Sequence, residues 1–300
     1  MDKRQRTISR IVEYSGIGLF TGEEVKLRFK PSPANTGIVF VRTDIESHPK
    51  VPANIEMLYD TKRLVTLDKN GVGVKSVEHV MAALAGLGID NIEIEVNSNE
   101  VPAGDGSSLL FLQLLKGTGV KTLAEPKNTF YLQEEIRVSK GDASMVAMPY
   151  DKGLSLSYIL DFNGSFLNRQ CFEIEMTESN FRTQIAPART FGLCTVIEEY
   201  KKLGLGKGVT DDNSLILQED GTVTKPLSMA PAELRFPNEC VRHKILDIIG
   251  DLYLTNLTLH ARIVATKSGH YLNTLWQEKY LNASKTRKIN KLKGTTRAFN

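Results

Sequence analysis

SVEHVMAALAGLGIDNIEIEV, residues 76–96, changes its hydrophobic period partway along. Up to Leu87 the apolar residues recur at helical spacing. From Ile92 onward Ile92, Ile94 and Val96 alternate with Glu93 and Glu95, as in a half-buried strand. Ser76 reads as an N-cap, Val77–Leu87 as a helix, and Gly86 and Gly88 as its stop. The unit is therefore a helix that feeds directly into a strand.

The same unit recurs. VRHKILDIIGD, residues 241–251, opens a predicted helix over 241–254, and LTLHARIVATKSG follows at once as a strand. Strands precede each unit. RIVEYSGIGLF, EEVKLRFKPSP and TGIVFVRTD precede the first; TFYLQEEIRVSKGD, ASMVAMPYD and LSLSYILDF precede the second. Matching the two helices from their N-termini sets His79 opposite His243, which implies an internal duplication. TLAEPKNT, residues 122–129, reads as the linker, giving domains at 1–125 and 126–300. Strands and helices do not strictly alternate, so the expected class is α+β, two layers, rather than a doubly wound parallel sheet. Residues 187–225 have weak periodicity and several glycines. They predict a helix in IEEYKKLG and a loop of the kind that covers binding sites.

The bulk properties narrow the function. The 300 residues are 41% hydrophobic and 24% charged, with a net charge of +3, too small to imply a nucleic-acid partner. Cys171, Cys194 and Cys240 show no CxxC spacing, so neither a disulfide framework nor a thiolate zinc site is expected, and a reducing, cytoplasmic setting fits. MDKRQRTISRIVEYSG lacks the apolar region of a secretory signal. The tail 281–300 holds Lys285, Arg287, Lys288, Lys291, Lys293 and Arg297 and no acid. Its plain reading is a solvated segment; its sharper reading is weak peripheral attraction to anionic phospholipid head groups. A monomer is the default expectation.

The chemistry-bearing residues are few. At about 100° per residue, His243, Asp247 and Asp251 lie near 0°, 40° and 80° on their helix, with Lys244 near 100°. A plain amphipathic helix looks the same. His and Asp are mediocre helix formers, however, and His at i with Asp at i+4 aims two zinc ligands at one point. His48 sits in a loop, and His260, within a strand, reads as structural. His79 follows Glu78 in the first turn of its helix. That pair suits a metal ligand beside a carboxylate base, and equally a helix start favoured by the macrodipole. His270 lies in SGHYLN at a strand-to-helix turn. Asp251, a turn beyond Asp247, could hydrogen-bond a histidine and raise its pKa for general-acid work.

EHVMAALAGLGIDNIEIEV, VPAGDGSS, ARTFG, RHKILDIIGDL and SGHYLN, together with SGIGLFTGEEVKLRFKPSPANTGIVFVRTD, resemble in that order the motifs of the UDP-3-O-acyl-N-acetylglucosamine deacetylases, zinc enzymes of the committed step of lipid A biosynthesis. The resemblance implies two similarly folded domains packed helix to helix, with the active site between them. It implies zinc, one ion per chain, on His79, His243 and Asp247, with Glu78 as general base. It implies His270 as general acid with Asp251 orienting it, Thr190 supporting the oxyanion, and Lys244 and Phe191 binding substrate. The segment around 193–216 would form an acyl-chain passage. The substrate would be an acylated UDP-sugar, released as UDP-3-O-acyl-glucosamine and acetate. One departure is Phe20, in GLFTG, where the family usually carries histidine near the substrate's polar end. It is the sole support for the alternative, a catalytically weakened or non-catalytic paralogue that binds the acylated sugar nucleotide. Nucleic-acid binding through the tail would lack an aromatic stacking platform.

Overall fold

The computed structural model describes residues 4–162 and 169–281. The basic tail therefore lies outside the described residues, apart from Leu281. Two sheets share one topology. In the first, strands run in the order Val12–Ile17, Glu24–Pro31, Ile92–Val96, Ile38–Arg42, Lys50–Pro52. In the second, the order is Ile136–Lys140, Ala143–Pro149, Thr258–Thr266, Leu154–Leu160, Gln170–Glu175. In both, the strand that follows the helix enters the middle of the sheet. It pairs antiparallel with the second strand and parallel with the third. Matching order and matching pairing sense in two independent sheets mark two similarly folded α+β halves. The internal repeat expected from the two helix–strand units is thus a repeat of whole sheets.

The helices Glu78–Leu87 and Glu239–Leu252 pack against each other between the sheets. The first is apolar nearly all round, with Val80, Met81, Ala82, Ala83 and Leu84 fully buried, as a helix covered on every side must be. The second buries Ile245, Leu246, Ile248 and Ile249 on the face predicted to be apolar. Each such side chain contributes about 1.5–3 kcal/mol on leaving water. Close approach depends on glycine. A Cβ at Gly250 would stand 2.1 Å from the Glu78 carbonyl oxygen, and one at Gly86 would stand 2.1 Å from the Phe181 ring. We expect Gly250→Ala to cost about 1–3 kcal/mol, since a helix backbone cannot yield as a side chain does. Urea unfolding measures this, with Gly117→Ala as control, because an added Cβ there meets nothing within 4 Å. Equal midpoints for the two variants would show that glycine does not set the helix spacing.

Several local expectations change. Ser76 does not cap the helix. Val77 holds that position without a side-chain bond, while Ser76 sits at φ 59° and turns its hydroxyl to Glu100. Most of the expected linker is strand: Val120–Pro126 pairs antiparallel with Arg4–Ile8. TFYLQEEIRVSKGD divides, Thr129–Tyr131 joining Thr258–Thr266 in parallel and Ile136–Lys140 pairing with Ala143–Pro149. The second helix of the pair begins earlier than predicted, at Glu239. The loop expected over 187–225 contains the predicted helix, at Cys194–Lys202, and a small sheet of Phe191–Leu193, Leu215–Leu217 and Val223–Thr224. A second small sheet, Leu58–Asp60, Thr66–Lys69 and Val72–Lys75, was not anticipated. Both small sheets are inserted at the same point of the repeat, between the last sheet strand and the helix. Residues of both insertions, Thr61, Lys62 and Arg63 from the first and Phe191 from the second, line one cavity. Among the described residues no helix is long and apolar enough to cross a membrane.

Candidate metal and acid–base site

One cavity of about 690 Å³ lies over the helix pair, lined by Glu78, His79, Thr190, Phe191, His243, Lys244, Asp247 and His270, which come from both halves. The helix Glu78–Leu87 presents Glu78 and His79 from its first turn. The helix Glu239–Leu252 presents His243, Lys244 and Asp247 from successive turns.

His79, His243 and Asp247 offer one ligand atom each within 4.8 Å of one another. His79 Nε2 lies 4.0 Å and His243 Nε2 3.3 Å from Asp247 Oδ1, and the two imidazoles meet edge to face at 5.0 Å. His243 Nδ1 stands 3.0 Å from the Ala188 carbonyl oxygen. A carbonyl only accepts, so Nδ1 carries the proton and the neutral ring turns its Nε2 lone pair toward Asp247. Burial, and then the neighbouring His243, lower the His79 pKa to about 3; burial likewise lowers that of His243. Burial opposes ionisation of Asp247, but its charged neighbours, Lys244 foremost, outweigh it and hold the carboxyl well below the ordinary range. Two neutral imidazoles and a carboxylate thus aim lone pairs at one point with no proton between them. That donor set fits a divalent cation, and zinc in particular.

The flanking groups separate in character. Glu78 is buried, and its Oε2 accepts the Val65 N–H at 3.1 Å. Burial raises its pKa to about 7, although the charge of His270 opposes this. His270 Nδ1 lies 2.8 Å from Oδ2 of Asp251, which is completely buried and also accepts from Asn273 Nδ2 at 2.7 Å. Burial lowers the His270 pKa, but Asp251 outweighs it and sets the value at about 9. Lys244 Nζ lies 2.6 Å from Asp247 Oδ2; burial opposes its charge, and Asp247 more than restores it. Thr190 is placed by its own backbone, its N–H donating to the Gly106 carbonyl at 2.7 Å. Phe191 packs 6.2 Å from the His243 ring.

All nine residues singled out in the sequence therefore meet around one cavity or, for Asp251, directly beneath it. The sequence reading missed the Ala188 carbonyl, the Val65 N–H and the Gly106 carbonyl, main-chain groups that carry no residue signature. It also missed Asn273, although SGHYLN contains it. Arg189 of ARTFG went unread as well. It is buried, and its guanidinium grips Glu239, the first residue of the second site helix, at 2.9 Å.

The sequence profile of the UDP-3-O-acyl N-acetylglycosamine deacetylase family matches residues 5–281. A Myxococcus xanthus protein named UDP-3-O-acyl-N-acetylglucosamine deacetylase is 38% identical over 269 residues, covering 90% of this chain and 83% of the relative. A Coxiella burnetii protein of the same name is 35% identical over 280 residues, covering 93% of this chain and 90% of the relative. By the extent of both matches, the chain belongs to the UDP-3-O-acyl N-acetylglycosamine deacetylase family.

Proposed function

We propose that this chain is a zinc amidohydrolase that removes the acetyl group of a UDP-3-O-acyl-N-acetylglucosamine, yielding UDP-3-O-acyl-glucosamine and acetate for lipid A biosynthesis. The observation that carries the reading is a juxtaposition. Three ligand atoms converge within 4.8 Å in a cavity that a buried carboxyl, Glu78, and a carboxylate-backed imidazole, His270, also line. His79, His243 and Asp247 would hold the ion, one per chain. When bound, zinc supplies Lewis acidity to the acetamide carbonyl and lowers the pKa of water.

The protein's own groups do the rest. Glu78, ionised, takes the proton of the attacking water. The Thr190 hydroxyl donates to the developing oxyanion. His270, cationic because Asp251 is charged beside it, delivers a proton to the amide nitrogen, which otherwise leaves poorly. Lys244 sets a buried positive charge on the cavity wall for the anionic substrate, and Phe191 and the 193–216 segment hold the acyl chain. We take residues 1–125 and 126–300 as the two domains, because Val120–Pro126 pairs back onto Arg4–Ile8 and Thr129–Tyr131 joins the second sheet. A cytoplasmic, monomeric enzyme completes the proposal. The non-catalytic alternative is disfavoured by the intact charge partners of Glu78, Asp247 and His270.

The direct test is acetate release from the acylated sugar nucleotide by zinc-loaded protein; none would end the enzyme reading. Chelation with a strong zinc ligand should abolish release, and one equivalent of zinc should restore it. His243→Ala should lower zinc content measured by elemental analysis, independently of turnover. A variant that keeps full zinc would remove His243 from the ligand set.

A further inference from the structure

Glu100 takes no part in the chemistry above, yet it is completely buried. Its Oε1 accepts the Phe20 N–H at 2.9 Å and the Ser76 hydroxyl at 3.2 Å. Its Oε2 accepts the Thr21 N–H at 2.9 Å and the Thr21 hydroxyl at 2.7 Å. Two consecutive backbone N–H groups around one anion form a nest, and a charge withdrawn from water needs such partners. The nest is the turn Gly18–Gly22, closed by the Gly22 N–H on the Gly18 carbonyl at 2.9 Å. A Cβ at Gly18 would stand 2.6 Å from Glu100 Oε2, so the turn sits directly on the carboxylate.

The other face of this turn carries the cavity wall. The Leu19 carbonyl accepts the Gly208 N–H at 3.1 Å, and a Cβ at Gly208 would stand 2.1 Å from the Gly18 carbonyl oxygen. A Cβ at Gly22 would meet Lys207 Cβ at 2.7 Å. The Phe20 ring packs 6.4 Å from Tyr200 on the helix Cys194–Lys202, and both rings line the cavity. Glu100, the turn and the Tyr200–Gly208 segment are therefore stacked without slack.

We propose that Glu100 is a positioning residue for the substrate's acyl chain: from beneath the Gly18–Gly22 turn it holds the Tyr200–Gly208 wall at the spacing the chain requires, touching neither substrate nor metal. The inference rests on the acylated sugar nucleotide being the substrate. Ser76, which lines the cavity one residue before Val77–Glu78, is pinned by the same carboxylate, in a left-handed conformation its hydroxyl bond supports.

Glu100→Gln tests this at constant volume, because its amide turns a donor toward donors. Thr21→Val is the milder companion, removing one hydroxyl. Steady-state kinetics on long- and short-acyl substrates, zinc content and hydrogen exchange are measured for each. For Glu100→Gln we expect KM for the long-chain substrate to rise about tenfold with kcat within about threefold, while the short-chain substrate changes little. Zinc content should be unchanged. Exchange at the amides of Phe20, Thr21, Lys207 and Gly208 should accelerate, and exchange in Glu78–Leu87 and Glu239–Leu252 should not. Thr21→Val should move in the same direction by less. Unchanged exchange at Lys207 and Gly208 would overturn the proposal. So would accelerated exchange with an intact chain-length preference, or a general rise that includes both helices. Wild-type protein inactive on both substrates would instead overturn the substrate assignment, a distinct failure.

Discussion

Glu78→Gln should lower kcat by about 10²–10⁴-fold, the range expected for loss of a general base, while zinc content and the unfolding midpoint stay near wild type. The side chain keeps its shape, and its one assigned contact, from the Val65 N–H, can still be accepted by the amide oxygen. What disappears is the capacity to hold a proton. The group is suited to that role because burial raises its pKa to about 7, far above that of a solvated carboxylate, so it binds a proton avidly near neutrality. A dication bound at His79 favours the ionised form. The acidic limb of kcat/KM should therefore lie at or below pH 7, and it should vanish in the glutamine variant. A variant that retains at least a tenth of the activity with an unshifted acidic limb would assign the base to another group.

Asp251→Asn should act at the opposite end of the pH range. In the folded chain Asp251 raises the His270 pKa to about 9, against a burial effect that lowers it. On the proposed mechanism the acid form of His270 is the working form across neutrality, and activity should fall only as pH rises through about 9. With a neutral amide at position 251 the largest raising effect is gone, and only the smaller ones of Asp247 and Glu78 remain against burial. The basic limb should then move from about 9 to lower pH. At pH 8 the variant should lose kcat in the direction of the about 10²–10⁴-fold loss of His270→Ala, and recover much of the loss as the pH is lowered. His270→Ala should lose activity at every pH. The sign is decisive. A basic limb that stays near 9 in Asp251→Asn would mean that His270 is not the acid or that Asp251 does not set its charge.

The two variants also separate the flanking groups from the ligands. Neither residue belongs to the three-ligand cluster, so elemental analysis should find zinc retained in both. His243→Ala, by contrast, should lose metal and activity together.

Much of this arrangement was legible in the chain. The change of period at 76–96 and again after 241 reported helices followed by strands, because side-chain burial obeys the backbone geometry of each element. The i, i+4 spacing of His243 and Asp247 set both side chains on one face of the helix, where their Nε2 and Oδ1 atoms stand 3.3 Å apart. The spacing of Asp247 and Asp251 was enough to give the two carboxylates different tasks, one at the cluster and one against His270. Motif order pointed to the family before any contact was known. Elements whose pattern is short or interrupted were not legible. The small sheets at 58–75 and 191–224 consist of strands of two to four residues, too short for alternation to register. Ser76 resembled an N-cap because local spacing cannot reveal a competing acceptor, and Glu100 lies 24 residues away.

By itself the sequence determined the α+β class, the two helix–strand units, the candidate ligands, base and acid, and the relationship to a family of deacetylases. Tertiary structure alone decided how these are set. His79 and His243 meet only because glycine at position 250 lets two helices from separate halves close to backbone contact. His243 has a defined tautomer only because the Ala188 carbonyl, from a loop 55 residues away, faces its Nδ1. Glu78 and His270 are both shifted above their ordinary values, one pushed up to about 7 by burial and the other to about 9 by a buried partner. Close approach, main-chain orientation and exclusion of water are properties of packing between distant segments, and no local pattern of residue types encodes them.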